Sequence, residues 1–415
     1  MNRRERRKHR RRKNMIIVLS TVFLLFIATS WMIFEFKSKQ EQTVSAPTKK
    51  KAATATKPSE NSAANEPEET KEPEPVEEKP KETIVKNQEI DNYLQKIGFS
   101  GSALVVRDGE TIIQKGYMYA NRDEKVLNTP DTLFYIGSSQ KAIIATALLQ
   151  LEEKGKISTN DPISKYIPDF PNGNKILVKN FLNHTSGIVG RPKLTSNMTP
   201  DQLIQAIEKR GIKSQPGKWD YMDANYTVVG YLVEKVSGQP LATYLQENIF
   251  DPAGMKHTGY NQKDVDGGKN VSIGYKIDDN GIFQSPKLVD LSQLYGAGDI
   301  SMPTTDMYLF DKALMDKKLI SEASLKKMFT KGSKSTYGMG FYVDPGSYNS
   351  HGVVTGWDVS NSVSHTGRTY VILFSNVQNH IASFGKVNND IYGFLNKIKK
   401  NSILFIESSF FIIYL

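Results

Sequence analysis

Cysteine is absent from all 415 residues of this chain. Its absence excludes a disulfide framework, a thiolate metal site and a thiol nucleophile. Histidine is also scarce, because the chain has only six, and no two of them have the His-x-x-x-His spacing that favours metal binding. The sequence therefore predicts no metal site and no cofactor.

Large apolar residues are nearly missing between Val44 and Val76, in a region rich in Lys, Glu, Pro, Thr and Ala. A segment of this composition cannot bury enough surface to offset the entropy lost on ordering. Residues 37–88 are therefore predicted to form a disordered Pro/Glu/Lys linker that acts as a spacer.

Positive charge is concentrated at the N-terminus. Residues 1–13 hold nine Lys or Arg and one Glu, a net charge of +8, so the rest of the chain contributes only +2 to the total of +10. A basic arm of this kind could bind nucleic acid, but beside a membrane span it more often sets orientation and contacts anionic lipid. We therefore predict no nucleic-acid partner.

The one long apolar run follows that arm. Met15–Phe34 comprises 20 residues without a charge, which is long enough to cross a bilayer as a helix. Residues 14–36 are thus predicted to be a single transmembrane anchor in the cell membrane, with residues 1–13 cytoplasmic and the remainder extracellular. A cleaved signal peptide is the alternative, but its small-residue candidate Val44-Ser45-Ala46 is followed by Pro47, which makes a poor cleavage site.

Residues 89–398 carry the periodic patterns of a folded domain, and residues 399–415 form an apolar tail of unknown role. Strand patterns lie near both ends of the domain and helical patterns lie between them, which indicates an α+β fold: an antiparallel sheet flanked by helices, plus an all-helical lobe. The predicted strands are Ser102–Arg107, Thr111–Tyr117, Gly340–Val343, Val353–Ser360 and Tyr370–Asn376. The main predicted helices are Asn87–Ile97, Ser138–Lys154, Pro200–Arg210, Tyr226–Ser237 and Asn388–Ile398.

Ser138-Ser139-Gln140-Lys141 lies where a strand-like run meets an apolar helical run. A serine and a lysine three residues apart share one helix face, and a lysine with a lowered pKa can take the proton of a serine nucleophile. The helix N-terminus also favours an oxyanion. Spacing alone is weak support, because Ser-x-x-Lys recurs at Ser324–Lys327 and Ser383–Lys386, and Ser138 could be a simple helix N-cap.

Further motifs accompany this one in a fixed order: Asn128–Thr132, Ile136–Ser138, Asn180–Gly187, Tyr221–Asp223, Ile249–Met255, Tyr295–Gly298 and Tyr337–Phe341. With them the chain resembles the serine β-lactamase and penicillin-binding-protein family, in its class C, D-alanyl-D-alanine carboxypeptidase branch. Within that family it is most similar to the staphylococcal FmtA-like proteins, membrane-attached enzymes that remove D-alanine esters from teichoic acids.

The resemblance implies catalytic roles for four residues. Ser138 would be the acylated nucleophile, Lys141 its proton acceptor and Tyr221 a second acid/base. The family usually has Tyr-x-Asn where this chain has Tyr221-Met222-Asp223. A carboxylate at Asp223 would favour the cationic form of Lys141, which would shift proton transfer toward Tyr221. His184 belongs to a segment that resembles a structural turn of the family.

The third motif of the family is Lys-Thr-Gly or His-x-Gly, followed by a Gly-aromatic pair, and two alignments are open. His351 takes the basic position if the spacing to Gly356-Trp357 is one residue short; otherwise Ser350-His351-Gly352 forms the motif and serine replaces the basic residue. Ser350, His351, Gly352 and Val353 are the predicted substrate-binding residues. Without a permanent cation, the site would suit an ester of D-alanine, which ends in an amine, better than a peptide that ends in a carboxylate.

The sequence thus predicts a membrane-anchored serine hydrolase that acts through an acyl-enzyme on D-alanyl groups of the cell envelope. Its expected partners are an envelope polymer, either teichoic acid or the peptidoglycan stem peptide, with β-lactams as further candidate ligands. The alternative is a catalytically weak penicillin-binding or wall-polymer-binding protein that retains the fold, which the altered second and third motifs favour.

Overall fold

The computed structural model describes residues 81–192, 197–259 and 270–397. Within these ranges, no helix combines the length and the apolar character that crossing a bilayer requires. The predicted arm, anchor and tail (residues 1–13, 14–36 and 399–415) lie outside the described residues, as does most of the predicted linker.

The strands come from both ends of the described chain. In chain order they are β1 Ile84–Val85, β2 Gly101–Arg107, β3 Glu110–Tyr117, β4 Tyr119–Asn121, β5 Val126–Leu127, β6 Phe134–Tyr135, β7 Tyr275–Ile277, β8 Phe283–Gln284, β9 Ser301–Met302, β10 Tyr342–Asp344, β11 Ser347–Val354, β12 Trp357–Ser364, β13 Thr369–Ser375 and β14 Val377–Gln378. Seven of them form one antiparallel sheet in the order β1-β3-β2-β13-β12-β11-β10. The others form small sheets, β14-β7-β8, β4-β5 and β6-β9.

The helices are α1 Gln88–Lys96, α2 Gln140–Glu153, α3 Val178–Leu182, α4 Pro200–Arg210, α5 Asp223–Ser237, α6 Leu241–Leu245, α7 Asp251–Ala253, α8 Thr304–Met315, α9 Glu322–Met328 and α10, residues 384–397. A short π-helix, Gln246–Phe250, joins α6 to α7, and short 3-10 turns lie at Gly137–Ser139, Ile163–Lys165 and Leu291–Leu294. Local signals explain several ends: Thr199 and Gln202 form a capping box before α4, and Gly238 ends α5 with φ 77°.

Helices cover both faces of the sheet. Val371 and Leu373 of β13 pack in one apolar cluster with α1 and α10, whereas Ile372 and Phe374 belong to a larger cluster that includes α2, α5 and α8. Successive side chains of a strand point to opposite faces, so one buried strand contributes to both cores. The structure confirms the predicted antiparallel sheet flanked by helices.

The β2–β3 hairpin turns where the sequence predicts it. Asp108 and Gly109 both have positive φ, 53° and 81°, which is the geometry of the two-residue turn that favours Asp-Gly. The two ends of the chain then meet in the sheet, since β2 pairs with β13 from Gly101 opposite Ser375 to Arg107 opposite Thr369.

Several element boundaries differ from those predicted, and two of the differences change the assignment of a segment. Ile84 and Val85 pair with β3, whereas the sequence assigns residues 37–88 to the linker. The predicted strand Val353–Ser360 is in fact the end of β11, a turn and the start of β12. The polar segment that opens β11 has little strand propensity, and its pairing with β12 through eight residues decides its conformation.

Candidate active site

Ser138 lies in the 3-10 turn Gly137–Ser139, which leads directly into α2. This turn packs closely against β11. A Cβ at Gly352 would overlap the carbonyl oxygen of Ile136, and a Cβ at Gly137, where φ is +50°, would lie 2.8 Å from the backbone nitrogen of Val353. Glycine at both positions therefore allows the nucleophile turn and the edge of β11 to meet.

Lys141 is completely buried one helical turn after Ser138. Its Nζ donates to Ser138 Oγ at 2.7 Å, to Asp223 Oδ1 at 2.7 Å and to the carbonyl oxygen of Ala297 at 3.1 Å. An ammonium has three donors and no acceptor, so these three contacts satisfy the cationic form of the lysine.

The electrostatics of Lys141 point the same way. Burial lowers the pKa of its amine, but the Asp223 carboxylate and the Tyr221 side chain outweigh burial, so the pKa is raised above its ordinary value. Asp223 is the first residue of α5, and 46% of its side chain is exposed, so it connects the buried ammonium to the open cleft. Lys141 is therefore a cation in the resting site.

Tyr221 stands beside this group. Lys141 Nζ lies 5.1 Å from the centre of its ring, and the His184 ring packs against the Tyr221 ring with ring centres 4.2 Å apart. His184 Nδ1 accepts from the backbone N–H of Met222 at 3.2 Å, and it lies 3.1 Å from Asn225 Nδ2. Burial holds the pKa of His184 well below its usual range, so the ring is neutral. His184 thus positions the backbone between Tyr221 and Asp223.

The segment that supplies the Ala297 carbonyl is held by a buried carboxyl. Gln140 Nε2 donates to Asp299 Oδ1 at 2.6 Å, and Gln140 Oε1 accepts from the N–H of Ile300 at 3.0 Å. Burial raises the pKa of Asp299 to about 7, although the hydrogen bonds from Gln140 and from backbone N–H groups favour the charged form. The first residue of α2 and the Tyr295–Gly298 motif are locked together in this way.

We expect Asp299 to make stability pH-dependent. A carboxyl group whose folded-state pKa is about 7, against about 3.9 unfolded, binds more protons in the folded state, so stability falls as pH rises from about 4 to 7. The full difference between the two pKa values corresponds to roughly 4 kcal/mol in the free energy of unfolding. Asp299→Asn should flatten this fall in urea unfolding measured across that pH range. Asp220→Asn, at a half-buried carboxylate, is the control. An unchanged slope in Asp299→Asn would contradict the assignment.

The alternation of side chains along β11 decides between the two alignments of the third motif. Gly352 faces the Ser138 turn, so Ser350 shares that face, and it is buried with an Oγ that has no hydrogen-bond partner among the described residues. His351 points to the opposite face, where its Nε2 lies 2.6 Å from Asp358 Oδ1 in a cavity of about 700 Å³. The His351 side chain therefore does not join the site, contrary to the sequence-based assignment.

The other two Ser-x-x-Lys segments lack this geometry. Lys327 donates to Glu152 at 2.8 Å, and Lys386 pairs with Asp390 at 2.5 Å. Ser383 Oγ accepts from the backbone N–H of Lys386 at 3.2 Å, which is the bond of a helix cap. These segments are structural.

An open cleft of about 560 Å³ borders the site, with Tyr221, Asp223, Arg191 and Gln293 among its lining residues. Within the described ranges, no cluster of three or more His, Asp or Glu side chains is arranged to hold a metal ion.

Comparison with known proteins identifies the family of the chain. The family described as Beta-lactamase matches residues 87–386, about three quarters of the chain. The chain belongs to the Beta-lactamase family. It is therefore a serine hydrolase of this family.

Three proteins illustrate the family relationship. The penicillin-binding protein PbpX of Bacillus subtilis (strain 168) is 55% identical over 315 residues, which cover 76% of this chain and 80% of that protein. A teichoic acid D-alanine hydrolase of Staphylococcus aureus (strain MRSA252) is 35% identical and covers 74% and 78%. The crystal structure of FmtA from Staphylococcus aureus has a TM-score of 0.68 at 31% identity, and it covers 76% of this chain and 93% of that one.

Several site residues were not predicted from the sequence. The Ala297 carbonyl and Asp299 lie in or directly after the Tyr295–Gly298 motif, so that motif was the available signal. His184 was assigned only to a structural turn, and Arg191 carries no sequence signal that distinguishes it from other arginines.

Proposed function

We propose that this serine hydrolase removes D-alanine from D-alanyl esters of teichoic acid in the cell envelope. The observation that carries the proposal is the position of Lys141 Nζ, 2.7 Å from both Ser138 Oγ and Asp223 Oδ1. This arrangement prepares a serine for acyl transfer and adds a carboxylate beside the open cleft. A relative that is 35% identical is a teichoic acid D-alanine hydrolase.

The reaction proceeds in two steps, acylation of Ser138 and hydrolysis of the acyl-enzyme. Ser138 Oγ forms a bond with the ester carbonyl carbon, its proton moves to a base of the site, and the polymer hydroxyl leaves with a proton. Water then attacks the D-alanyl-Ser138 ester, which releases D-alanine and restores the serine. Because Lys141 rests as a cation, either it must first lose a proton or Tyr221 must accept the one from Ser138.

Backbone N–H groups would stabilise the tetrahedral intermediate. Ser138 lies at the N-terminal end of α2, and the Val353 nitrogen packs against the adjacent Gly137. Donors fixed in this way favour the oxyanion without reorganisation during the reaction. Val353 thus contributes through its backbone, since its side chain lies on the other face of β11.

Substrate choice follows from the charges near Ser138. Ser350 lies on the same face of β11 as Gly352, which packs against the nucleophile turn, so this face of the strand presents no permanent cation to a substrate carboxylate. A D-alanyl ester instead carries a free ammonium, which the partly exposed Asp223 carboxylate would attract. This pattern favours the ester over a peptide that ends in D-Ala-D-Ala.

The test is D-alanine release by the purified protein from D-alanylated lipoteichoic acid and, in parallel, from a D-Ala-D-Ala peptide. We expect the ester to be hydrolysed at least tenfold faster in kcat/KM. Faster release from the peptide would replace the esterase proposal with a carboxypeptidase.

A second candidate, a weakly catalytic binding protein, is favoured by one observation. The Lys141–Asp223 ion pair raises the pKa of Lys141, which disfavours its action as a base. Binding of both polymers without release of D-alanine from either would support this candidate.

We also propose that residues 14–36 anchor the enzyme and that its catalytic domain lies outside the cell membrane. The basis is the basic arm before an uncharged apolar run. Protease added to intact protoplasts should cut within residues 37–80 and release a soluble fragment that retains Ser138 labelling. Full protection of the domain, with cleavage only after lysis, would contradict this orientation.

A further inference from the structure

The cleft that Tyr221 and Asp223 line contains a pair of opposite charges. Among the described residues that line it, Asp223 carries the only carboxylate and Arg191 the only cationic side chain. Apolar contact is supplied by Val289 and Leu294. The cleft therefore offers one negative and one positive group on partly apolar walls.

Several N–H donors of Arg191 have no acceptor among the described residues. A guanidinium has five N–H donors, and among the described residues the one acceptor it meets is the carbonyl oxygen of Gln293. No carboxylate of the described residues lies within ion-pair distance of it. Partial burial lowers the pKa of Arg191, and the charge of Asp223 opposes part of that shift. The two groups therefore interact electrostatically, and the guanidinium stays charged.

Partial burial of a guanidinium without an ion-pair partner costs free energy unless an anion binds to it. Its planar fork matches the geometry of a phosphate or a carboxylate. We propose that Arg191 forms an anion subsite that binds the phosphate group next to the D-alanyl ester in the polymer. This inference rests on the proposed function.

The substrate repeat has the complementary charges. A D-alanylated unit of a polyol-phosphate chain carries an ammonium on the alanyl group and a phosphodiester on a nearby carbon of the same polyol. In this arrangement the ammonium lies at Asp223 and the phosphate at Arg191, and the ester carbonyl is directed toward Ser138, which Lys141 links to Asp223. The pair of charges thus selects a D-alanyl ester on an anionic polymer over the same ester on a neutral alcohol.

The test compares two substrates, each measured with the wild type and with variants of Arg191. The substrates are the D-alanyl ester of glycerol phosphate and the D-alanyl ester of glycerol. Arg191→Gln should raise KM for the phosphate ester about tenfold or more, as loss of a charged hydrogen bond does, and leave kcat and the neutral ester nearly unchanged. Arg191→Lys should restore part of the loss. Arg210→Gln, an exposed charge change on α4, is the matched control.

Two outcomes would overturn the subsite. An equal loss for both esters in Arg191→Gln would mean that the arginine only maintains structure. A loss confined to a peptide substrate that ends in a carboxylate would assign the anion to that carboxylate instead.

A separate readout keeps the subsite testable if neither ester is hydrolysed, a result that would refute the proposed function. Glycerol phosphate should slow acylation of Ser138 by a neutral fluorophosphonate in the wild type, and glycerol should not. Arg191→Gln should remove that protection. Equal protection in the wild type and Arg191→Gln, or none in the wild type, would refute the anion subsite.

Discussion

Ser138→Ala is expected to abolish covalent labelling by a fluorescent penicillin or fluorophosphonate and to reduce ester hydrolysis on the order of 10⁴-fold or more. The reason is geometric: Ser138 Oγ receives a hydrogen bond at 2.7 Å from the buried Lys141, whose other side-chain partner, Asp223, lines an open cleft. Removal of the hydroxyl leaves no atom to form the acyl-enzyme. Labelling should be read with the intact mass after long incubation, because a slow reagent can miss a sluggish site.

The chain provides its own controls for this result. Ser324→Ala and Ser383→Ala remove serines with the same Ser-x-x-Lys spacing, but their lysines pair with Glu152 and Asp390. Both variants should label like the wild type. Full labelling of Ser138→Ala, or loss of labelling in either control, would contradict the assignment of the nucleophile.

Asp223→Asn should move the acidic limb of the pH profile for Ser138 acylation to lower pH. Asp223 raises the pKa of Lys141 against the opposing effect of burial, so loss of its charge lets burial dominate and the pKa falls. If neutral Lys141 is the base, the active form then appears at lower pH. Each pKa unit of the shift corresponds to about 1.4 kcal/mol.

Two further variants separate the proton routes. Asp220→Asn removes a nearby carboxylate that pairs with Lys213, and it should leave the limb in place. Tyr221→Phe should abolish the limb if the tyrosine, rather than Lys141, accepts the proton. An unchanged limb in Asp223→Asn together with an unchanged profile in Tyr221→Phe would refute the view that Asp223 controls the base.

Local chemistry explains which parts of the fold the sequence predicts. The Asp108-Gly109 turn, the capping box of α4 and the glycine at the end of α5 are short-range signals, and the elements they bound lie where expected. The strand β11 was misplaced because its polar first half forms a strand only through pairing with β12. Tertiary context overrides local propensity there.

The same distinction applies to the site. Ser138 and Lys141 come from one helix start, so spacing predicts their contact. Asp223 came from a motif that the resemblance supplied, and the structure brings it to Lys141 from 82 residues away. The face on which His351 points, the Ala297 carbonyl and the Arg191 guanidinium depend on strand register and loop packing, which sequence spacing does not encode.

The most direct test of the central claim is mass analysis of Ser138 after rapid acid quenching of the enzyme with D-alanylated lipoteichoic acid. The account predicts one alanyl group on the peptide that contains Ser138, together with released D-alanine, and neither product from Ser138→Ala. Release of D-alanine by Ser138→Ala at the wild-type rate, or an alanyl group on a different residue, would contradict it.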